Sequence, residues 1–509
     1  MKLTKFGVIC VRGFCLLALA GCAVGPDFQK PRPGVPDKWH AIKESTPFQQ
    51  ASEAEPRAFD ITEWWKGFAD PTLDSLIERA VQSNQDLRQA ESRIRQARAA
   101  RGVAVAGLWP EIDANSHHAQ SLGSSTSVSM VNTADGLTGL SVSSGKTTRN
   151  LFQLGLDASW ELDLFGGTRR NIEAAQADME TAVEDRRDVL ITLLSDVATT
   201  YANLRQYQQQ IEIAKKNLAA QRHTAEITRK RHDAGFVGTL DVANATAQAA
   251  TTESQIPVLE SSAKAAIYAL GVLLGKEPAA LFEELSVAKP ILPTPPEIPV
   301  GIPSELLRRR PDIRRAESQI HAATARIGVA TADLFPKFSL TGNFGTAGND
   351  ILSLGNLSNR FWSWGPAVTW PIFDAGRIRW NIEIQNAVQE QALLAYEKAV
   401  ITALKDVETS LAAYTNELRH NKLLADAIVN YRRAEDLAMQ LYLAGRTDFL
   451  NVLNAQRSLY ASEEALAQST NALITDLVAL YKALGGGWER LEGGNARAET
   501  LQPRPSLNR

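Results

Sequence analysis

Phe152-Gln153-Leu154-Gly155-Leu156-Asp157-Ala158-Ser159-Trp160-Glu161-Leu162-Asp163-Leu164 alternates without a break: each even position is apolar, each odd one polar or glycine. A period of two marks a strand with one apolar and one polar face. The run exceeds the roughly 10 residues that a tilted transmembrane strand needs. Phe338, Leu340 and Phe344 repeat the pattern against Lys337, Ser339, Thr341 and Asn343. So do Trp362, Trp364, Val368 and Trp370 against Ser363, Gly365, Ala367 and Thr369. A first strand after Pro110 is weaker, with Ile112 and Ala114 opposing Glu111, Asp113 and Asn115. A half-buried strand of a soluble sheet alternates in the same way. The tryptophans on the apolar face and the lack of further strand patterns favour a membrane barrel. Four strands cannot close one, since closure takes about eight or more, and open edges cannot sit in lipid. The chain is therefore expected to oligomerise, as a dimer of eight strands or a trimer of twelve, with the polar faces lining a water-filled pore.

Outside the hairpins the chain reads as two copies of one plan. Leu164-Phe165-Gly166-Gly167-Thr168-Arg169 matches Ile372-Phe373-Asp374-Ala375-Gly376-Arg377. Asp233-Ala234-Gly235 with Leu240-Asp241-Val242 matches Leu443-Ala444-Gly445 with Leu450-Asn451-Val452, and Leu273-Leu274-Gly275 matches Ala483-Leu484-Gly485. Gly102-Val103-Ala104 through Pro110 matches Gly328-Val329-Ala330 through Pro336. The first copy is longer between its Pro and its Phe, and the extra Ser/Thr/Gly-rich stretch from Ser116 to Thr148 reads as an exposed loop. Arg169 to about His232 and Arg377 to about Leu443 lack Pro and Gly and are rich in helix formers, so each predicts a helix on the order of 100 Å long. Turn glycines Gly235, Gly238 and Gly445 end these rods. The fold class is mainly α with a transmembrane β part, built from a duplicated helix, β-hairpin, long helix and helix.

The N-terminus reads as an export signal. Lys2 and Lys5 precede an apolar stretch from Phe6 to Ala20, which ends in Leu19-Ala20-Gly21-Cys22. That ending resembles a bacterial lipobox, which implies cleavage before Cys22 and acylation there by a diacylglycerol and an N-acyl chain, with no other cofactor. More than one acyl chain is needed for stable anchoring. Ala23 after the cysteine implies export to the outer membrane. Cys10 and Cys15 leave with the signal, so one thiol remains and no internal disulfide can form. With 54 basic and 57 acidic side chains the formal charge is only −3, which gives no support for a nucleic-acid partner. No later run of roughly 18 apolar residues predicts a spanning helix.

Four motifs, in order, identify the chain as a member of a family. They are Cys22-Ala23-Val24-Gly25-Pro26-Asp27-Phe28; Trp64-Trp65-Lys66-Gly67-Phe68-Ala69-Asp70-Pro71; Arg309-Arg310-Pro311-Asp312-Ile313-Arg314-Arg315-Ala316-Glu317, running into Leu334-Phe335-Pro336; and Leu453-Asn454-Ala455-Gln456-Arg457. Together they resemble the outer-membrane efflux proteins of the TolC and OprM type, in the lipoprotein branch called NodT-like. The resemblance implies a homotrimer with a 12-strand barrel in outer-membrane lipid, on a 12-helix periplasmic barrel with a mixed equatorial belt. It implies a periplasmic adaptor and an inner-membrane transporter of the RND type as partners, and drugs or toxic compounds as cargo. The expected partition is a signal over 1–21, an equatorial segment over 22–72, a first repeat over 73–275 and a linker over 276–303. A second repeat over 304–485 and a tail over 486–509 complete it. The hairpins fall at about 110–165 and 336–373, and the periplasmic tips at 232–241 and 442–451.

By the same resemblance the tips close the channel at rest. Asp448, Tyr442 and Arg446 are candidate gate or lumen residues, with Asp233 and Asp241 in the first copy. A ring of three carboxylates would favour cations. Asp241 and Asp448 also stand where a helix restarts, so both equally suit an N-cap. Arg308 to Arg310 reads as a solvated helix start, His117-His118 as polar surface, and Trp64-Trp65 as packing in the belt. No nucleophile elbow, zinc spacing, P-loop or dinucleotide fingerprint occurs, so nothing points to an enzyme. A component of a protein-secretion system and a coiled-coil scaffold lipoprotein are the alternatives.

Overall fold

A computed structural model describes residues 23–36, 38–40, 61–132, 138–293 and 308–489. The stretch read as an export signal, Cys22, residues 41–60, the last third of the linker and residues 490–509 of the tail lie outside the described residues. The helices are α1 (Pro71–Ser83), α2 (Gln85–Ala106), α3 (Gly167–Asp233), α4 (Thr239–Leu273), α5 (Phe282–Leu285), α6 (Pro311–Ala332), α7 (Arg377–Leu443) and α8 (Phe449–Ala483). The strands are β1 (Glu111–Asn132), β2 (Thr138–Leu162), β3 (Lys337–Gly348) and β4 (Arg360–Thr369).

The duplication is written into element lengths. Helices α2 and α6 have 22 residues each, α3 and α7 have 67, and α4 and α8 have 35. The offset is 226 for the first pair (85 to 311) and 210 for the others (167 to 377, 239 to 449). Both long helices stop in the same way. Gly235 and Gly445 take φ of +80° and +69°, which an L side chain rarely tolerates. The amides of Phe236 and Arg446 then reach back to the carbonyls of Arg231 and Leu441, each at 2.8 Å, which satisfies the helix end.

The chain forms two compact units. The first holds residues 1–29, 96–179 and 319–392, including a four-stranded antiparallel sheet in the order β1-β2-β3-β4. The stretch read as a loop from Ser116 to Thr148 is instead strand, apart from the undescribed 133–137. β1 and β2 pair from Glu111 opposite Ser159 out to Asn132 opposite Thr138. A ladder needs only backbone groups and extended residues, so Ser and Thr continue it where the apolar alternation has ended.

The second unit holds residues 30–95, 180–318 and 393–509. Its core gathers Trp64, Trp65, Phe68, Leu73 and Leu76 against Leu190, Leu194, Ile474 and Leu477. Leu281, Leu285 and Leu292 of the linker and Trp488 near the end of the chain join this core. Asp70 caps α1 by accepting from the amides of Thr72 (2.7 Å) and Leu73 (3.4 Å). Its other oxygen accepts from the Tyr201 hydroxyl at 2.7 Å, and that hydroxyl accepts from the fully buried Arg205 at 2.9 Å. Burial, then the bond to Asp70, push the Tyr201 phenol up to about 12. Burial alone would raise the Asp70 carboxyl, but its hydrogen bonds outweigh that and hold it below its usual range.

One sequence expectation needs correction here. Arg310 does not belong to a solvated helix start: its largely buried guanidinium pairs with Asp312 (2.7 Å) and Asp406 (3.4 Å) and donates to the Ala483 carbonyl. Helix α4 reaches a mean hydropathy of 1.3 over its most apolar window, so by length and composition alone it could cross a membrane, but Glu253, Glu260 and Lys264 interrupt it and it contains no unbroken apolar run. Ala245, Ala249, Ala263 and Ala266 are buried against the rest of the chain.

Candidate functional site

Two places carry the geometry on which function turns: the sheet, and the paired tips of the helices. In the sheet, register decides the faces. Leu156 stands opposite both Ala114 and Phe344, Phe344 opposite Trp362, Trp160 opposite Leu340, and Phe338 opposite Val368. In the ladders formed by residues 111–124, 148–162, 337–348 and 360–369, even-numbered residues therefore fall on one face, and apolar side chains run across all four strands. That face is bare: Phe344 is 52%, Trp362 67% and Trp364 73% exposed. Exposing so large a contiguous apolar patch to water is unfavourable, so it marks a surface for lipid or protein.

The opposite face is polar and hydrogen-bonded across strands. Asn115 donates to Asp157, and Ser363 donates to Asn343 at 3.0 Å. Gly345 pairs with Gly155, and a Cβ on Gly345 would lie 2.8 Å from the Phe361 ring, so glycine lets that ring lie close over the strand. On the apolar face His118 stacks on Phe152 at 4.2 Å, and no metal-binding cluster of His, Cys, Asp or Glu occurs among the described residues.

In the same unit the residues after Cys22 form a strap. The Val24 amide donates to the Phe165 carbonyl at 3.0 Å. Arg170, only 5% exposed, donates to the Val24 carbonyl and to Asp27 at 2.6 Å. Phe28 stacks on His321 at 4.5 Å. Gly25, at φ +91°, lies so close to Gly328 that a Cβ on Gly25 would come within 2.5 Å of the Gly328 Cα.

At the tips, in the second unit, the structure sorts the candidate residues. Tyr442 is 1% exposed, packed with Ala245, Phe449, Val452 and Leu453. Assembly can only bury it further, so Tyr442 is corrected from a lumen-lining residue to a packing one. Its ring meets Phe449 edge-on at 5.7 Å and its hydroxyl donates to Thr228 at 3.3 Å. Arg231, which the motif reading missed, lies over the Tyr442 ring at 4.7 Å and donates to the Leu443 carbonyl at 3.0 Å, joining the two tips. Its place just before the 232–241 turn was the available signal.

Asp233, Arg446 and Asp448 are exposed and Asp241 half-exposed. The cap reading fails for both aspartates. Asp448 occupies the N-cap position of α8 but its side chain makes no cap bond. Asp241 lies inside α4, whose N-cap is Gly238 at an ordinary φ of −81°. Gly238 and Asp448 are counterparts in the repeat, so the helix restarts without a carboxylate. The Asp448 carboxylate is thus available for other interactions. Phe236 is 74% exposed, with Leu240 and Leu450 bare near it in sequence and in the repeat.

A cleft of about 480 Å³ in the second unit is lined by Asp188, Arg310, Asp312, Lys405, Asp406, Lys482 and several Ser and Thr. Burial pushes the Asp188 carboxyl up, partly offset by Arg315. The lining contains no His or Cys, so it lacks a nucleophile with a histidine base.

The family model "Outer membrane efflux protein" matches residues 76–276 and again 302–486, one match for each copy of the repeat. The pyoverdine export outer membrane protein OpmQ of Pseudomonas aeruginosa is 36% identical over 448 residues, covering 87% of this chain and 91% of that protein. The cation efflux system protein CusC of Escherichia coli is 31% identical, covering 94% and 98%. A solved structure of the outer-membrane channel OprN is 35% identical with a TM-score of 0.80, covering 92% of this chain and all of that one. The same duplicated helix-hairpin-helix plan thus recurs along the whole described chain, which belongs to the outer membrane efflux protein family.

Proposed function

We propose that the chain is the outer-membrane channel of a tripartite efflux pump. Three copies close their four-stranded sheets into a 12-strand barrel in the outer membrane, and their helices form a 12-helix periplasmic duct. One observation carries the reading: a sheet with one continuous bare apolar face, one polar face and two unpaired outer edges among the described residues. Lipid satisfies the apolar face, further copies satisfy the edges, and the polar face then lines water.

Acylated Cys22 anchors each copy in outer-membrane lipid. A periplasmic adaptor engages the exposed tips and links them to an inner-membrane transporter of the RND type. Asp448, with Arg446, Asp233 and Asp241, sets the charge at the narrow end. Small molecules are the cargo. Relatives named for a siderophore and for cations share this plan, which supports a permissive duct whose cargo is selected by the transporter.

The test is conductance in a planar bilayer, using protein purified from outer membranes in mild detergent, wild type beside Asp448→Ala. Small, mostly closed currents that rise or lose cation preference in the variant support the pore and the gate. Equal currents from both keep the pore and remove Asp448 from the gate. Absence of current from a monomeric protein rejects the channel.

A further inference from the structure

The two tips turn on matching backbones. The Gly235 amide donates to the His232 carbonyl at 2.8 Å, and the Gly445 amide donates to the Tyr442 carbonyl at 3.0 Å. The side chains that close the two turns differ. In the second copy Tyr442 and Phe449 meet edge-on at 5.7 Å and are both buried. At the offset of 210 the first copy has His232 and Thr239 in their places, and Asp233 where the second has Leu443.

His232 bridges the two ends of its turn. Its Nε2 lies 3.3 Å from the Thr239 hydroxyl at the start of α4, and its Nδ1 lies 3.4 Å from the Asp233 carboxylate. A carboxylate only accepts, so the neutral ring donates from Nδ1 to Asp233 and accepts at Nε2 from Thr239. Protonation adds a hydrogen at Nε2, which the Thr239 oxygen accepts once its hydroxyl has turned. The contact to Asp233 then becomes charge-assisted, and such bonds are shorter and stronger. Both contacts therefore survive protonation, and one of them gains. Arg229 and Lys230 precede the ring on α3, with Lys230 held by Glu226 at 2.7 Å. Arg231 is turned to the Leu443 carbonyl, Asp241 lies on α4, and Arg446 and Asp448 belong to the second tip. Among these groups Asp233 alone stands within ion-pair distance of His232.

We propose that His232 is a protonation-dependent clamp on the first tip, tightening the turn that displays Phe236 as the surrounding solution becomes acid. Histidine is the side-chain type that ordinarily gains its proton between about pH 8 and pH 5. The second turn contains no histidine and closes on a buried aromatic pair, so the device acts on one tip of the two. Phe236 rides on the clamped turn and is 74% exposed, whereas its counterpart in the second turn is Arg446. The inference deepens the reading of the tips as the adaptor's docking surface and rests on it: acid fixes an apolar side chain in the surface offered to that partner. The His232 and Asp233 side chains are 38% and 69% exposed, so the response is graded, on the scale of an exposed ion pair.

The experiment is amide hydrogen exchange of the purified protein in detergent at about pH 8 and about pH 5.5, on either side of the histidine range. Mass spectrometry reads the 233–238 turn and, in the same sample, the 443–448 turn as internal control, each rate divided by its intrinsic rate at that pH. Protection of the first turn relative to the second is expected to rise about two- to five-fold in acid. The rise is expected to vanish in His232→Gln and to shrink in Asp233→Asn. It is also expected to vanish when His232→Tyr and Thr239→Phe together give the first tip the pair found in the second. Unchanged exchange in α8 shows that each variant is folded. A wild-type ratio equal at both pH values overturns the clamp. So does a rise that persists in His232→Gln, because another group then titrates. No adaptor takes part in the measurement, so failure here leaves the channel reading standing, and conductance judges that reading separately.

Discussion

The indole Nε1 of Trp370 donates to the carbonyl of Leu334 at 3.0 Å, and its counterpart Trp160 does the same to Leu108 at 2.9 Å. Each bond ties the end of a hairpin to the turn before the proline at its start, so both hairpins are stapled at the base. Trp370→Phe and Trp160→Phe keep the ring and remove the donor. Each is expected to cost about 1 kcal/mol, with nearly additive loss in the double variant. Urea unfolding of the purified protein, followed by tryptophan-independent circular dichroism, measures this.

The bond between Tyr201 and Asp70 predicts a pH signature. The Asp70 carboxyl is held low in the folded protein. Its contribution is therefore complete above roughly pH 4, the unfolded value, and fades as pH falls through the lowered folded value. Tyr201→Phe removes a bond to a charged acceptor, a loss of about 1.5–3 kcal/mol at neutral pH that shrinks in acid. Asp188 has the opposite sign. Burial raises its carboxyl, so its contribution is complete below the unfolded value and is lost as pH rises through the raised one. Asp188→Asn is expected to raise the thermal midpoint at pH 7 and to leave it unchanged in acid. Melting curves across pH test both signs.

Tyr442 separates packing from charge at the tips. Tyr442→Ala opens a hole where the ring is 1% exposed, at a cost of about 3–5 kcal/mol, whereas Tyr442→Phe loses one long hydrogen bond and about 1 kcal/mol at most. Proteolysis at the 232–241 and 442–451 turns is expected to quicken in the alanine variant and to stay near wild type in the phenylalanine one.

The strap predicts a fourth class of variant. A valine at Gly328 collides with the Arg170 side chain, against which even a Cβ would lie at 2.8 Å. Gly328→Val is expected to release residues 23–28 while the helices remain folded. Faster amide exchange at Val24, with unchanged exchange in α8, is the result that fits; protection retained at Val24 rejects it.

Much of this architecture was legible from residues alone, for definable reasons. Phe152 to Leu162 announced its two faces because a one-residue slip would invert them all. The long helices were legible through the absence of Gly and Pro, and their ends through Gly235 and Gly445. What escaped depended on neighbours distant in sequence. Arg310 looks solvated until Asp406 and Ala483 come beside it. Tyr442 looks like a lumen residue until α8 folds back over it. Asp448 looks like a cap until Gly238, doing the same work in the other copy, shows that none is needed. The outer halves of β1 and β2 were missed because Ser and Gly carry no facial pattern for a ladder made of backbone.

Equal lengths in the two copies constrain how this protein can change over generations. Helices of 67 and 35 residues recur at the same offset of 210, so the turns at Gly235 and Gly445 come at matching distances along the two copies. A heptad gained in one copy alone would pull Arg231 away from Tyr442 and leave one turn protruding beyond the other. Insertions that survive must therefore arise twice, at matched positions, and such coincidences are rare. Innovation is steered instead toward side chains at the ends, where a single substitution can act without disturbing the measure of the rods.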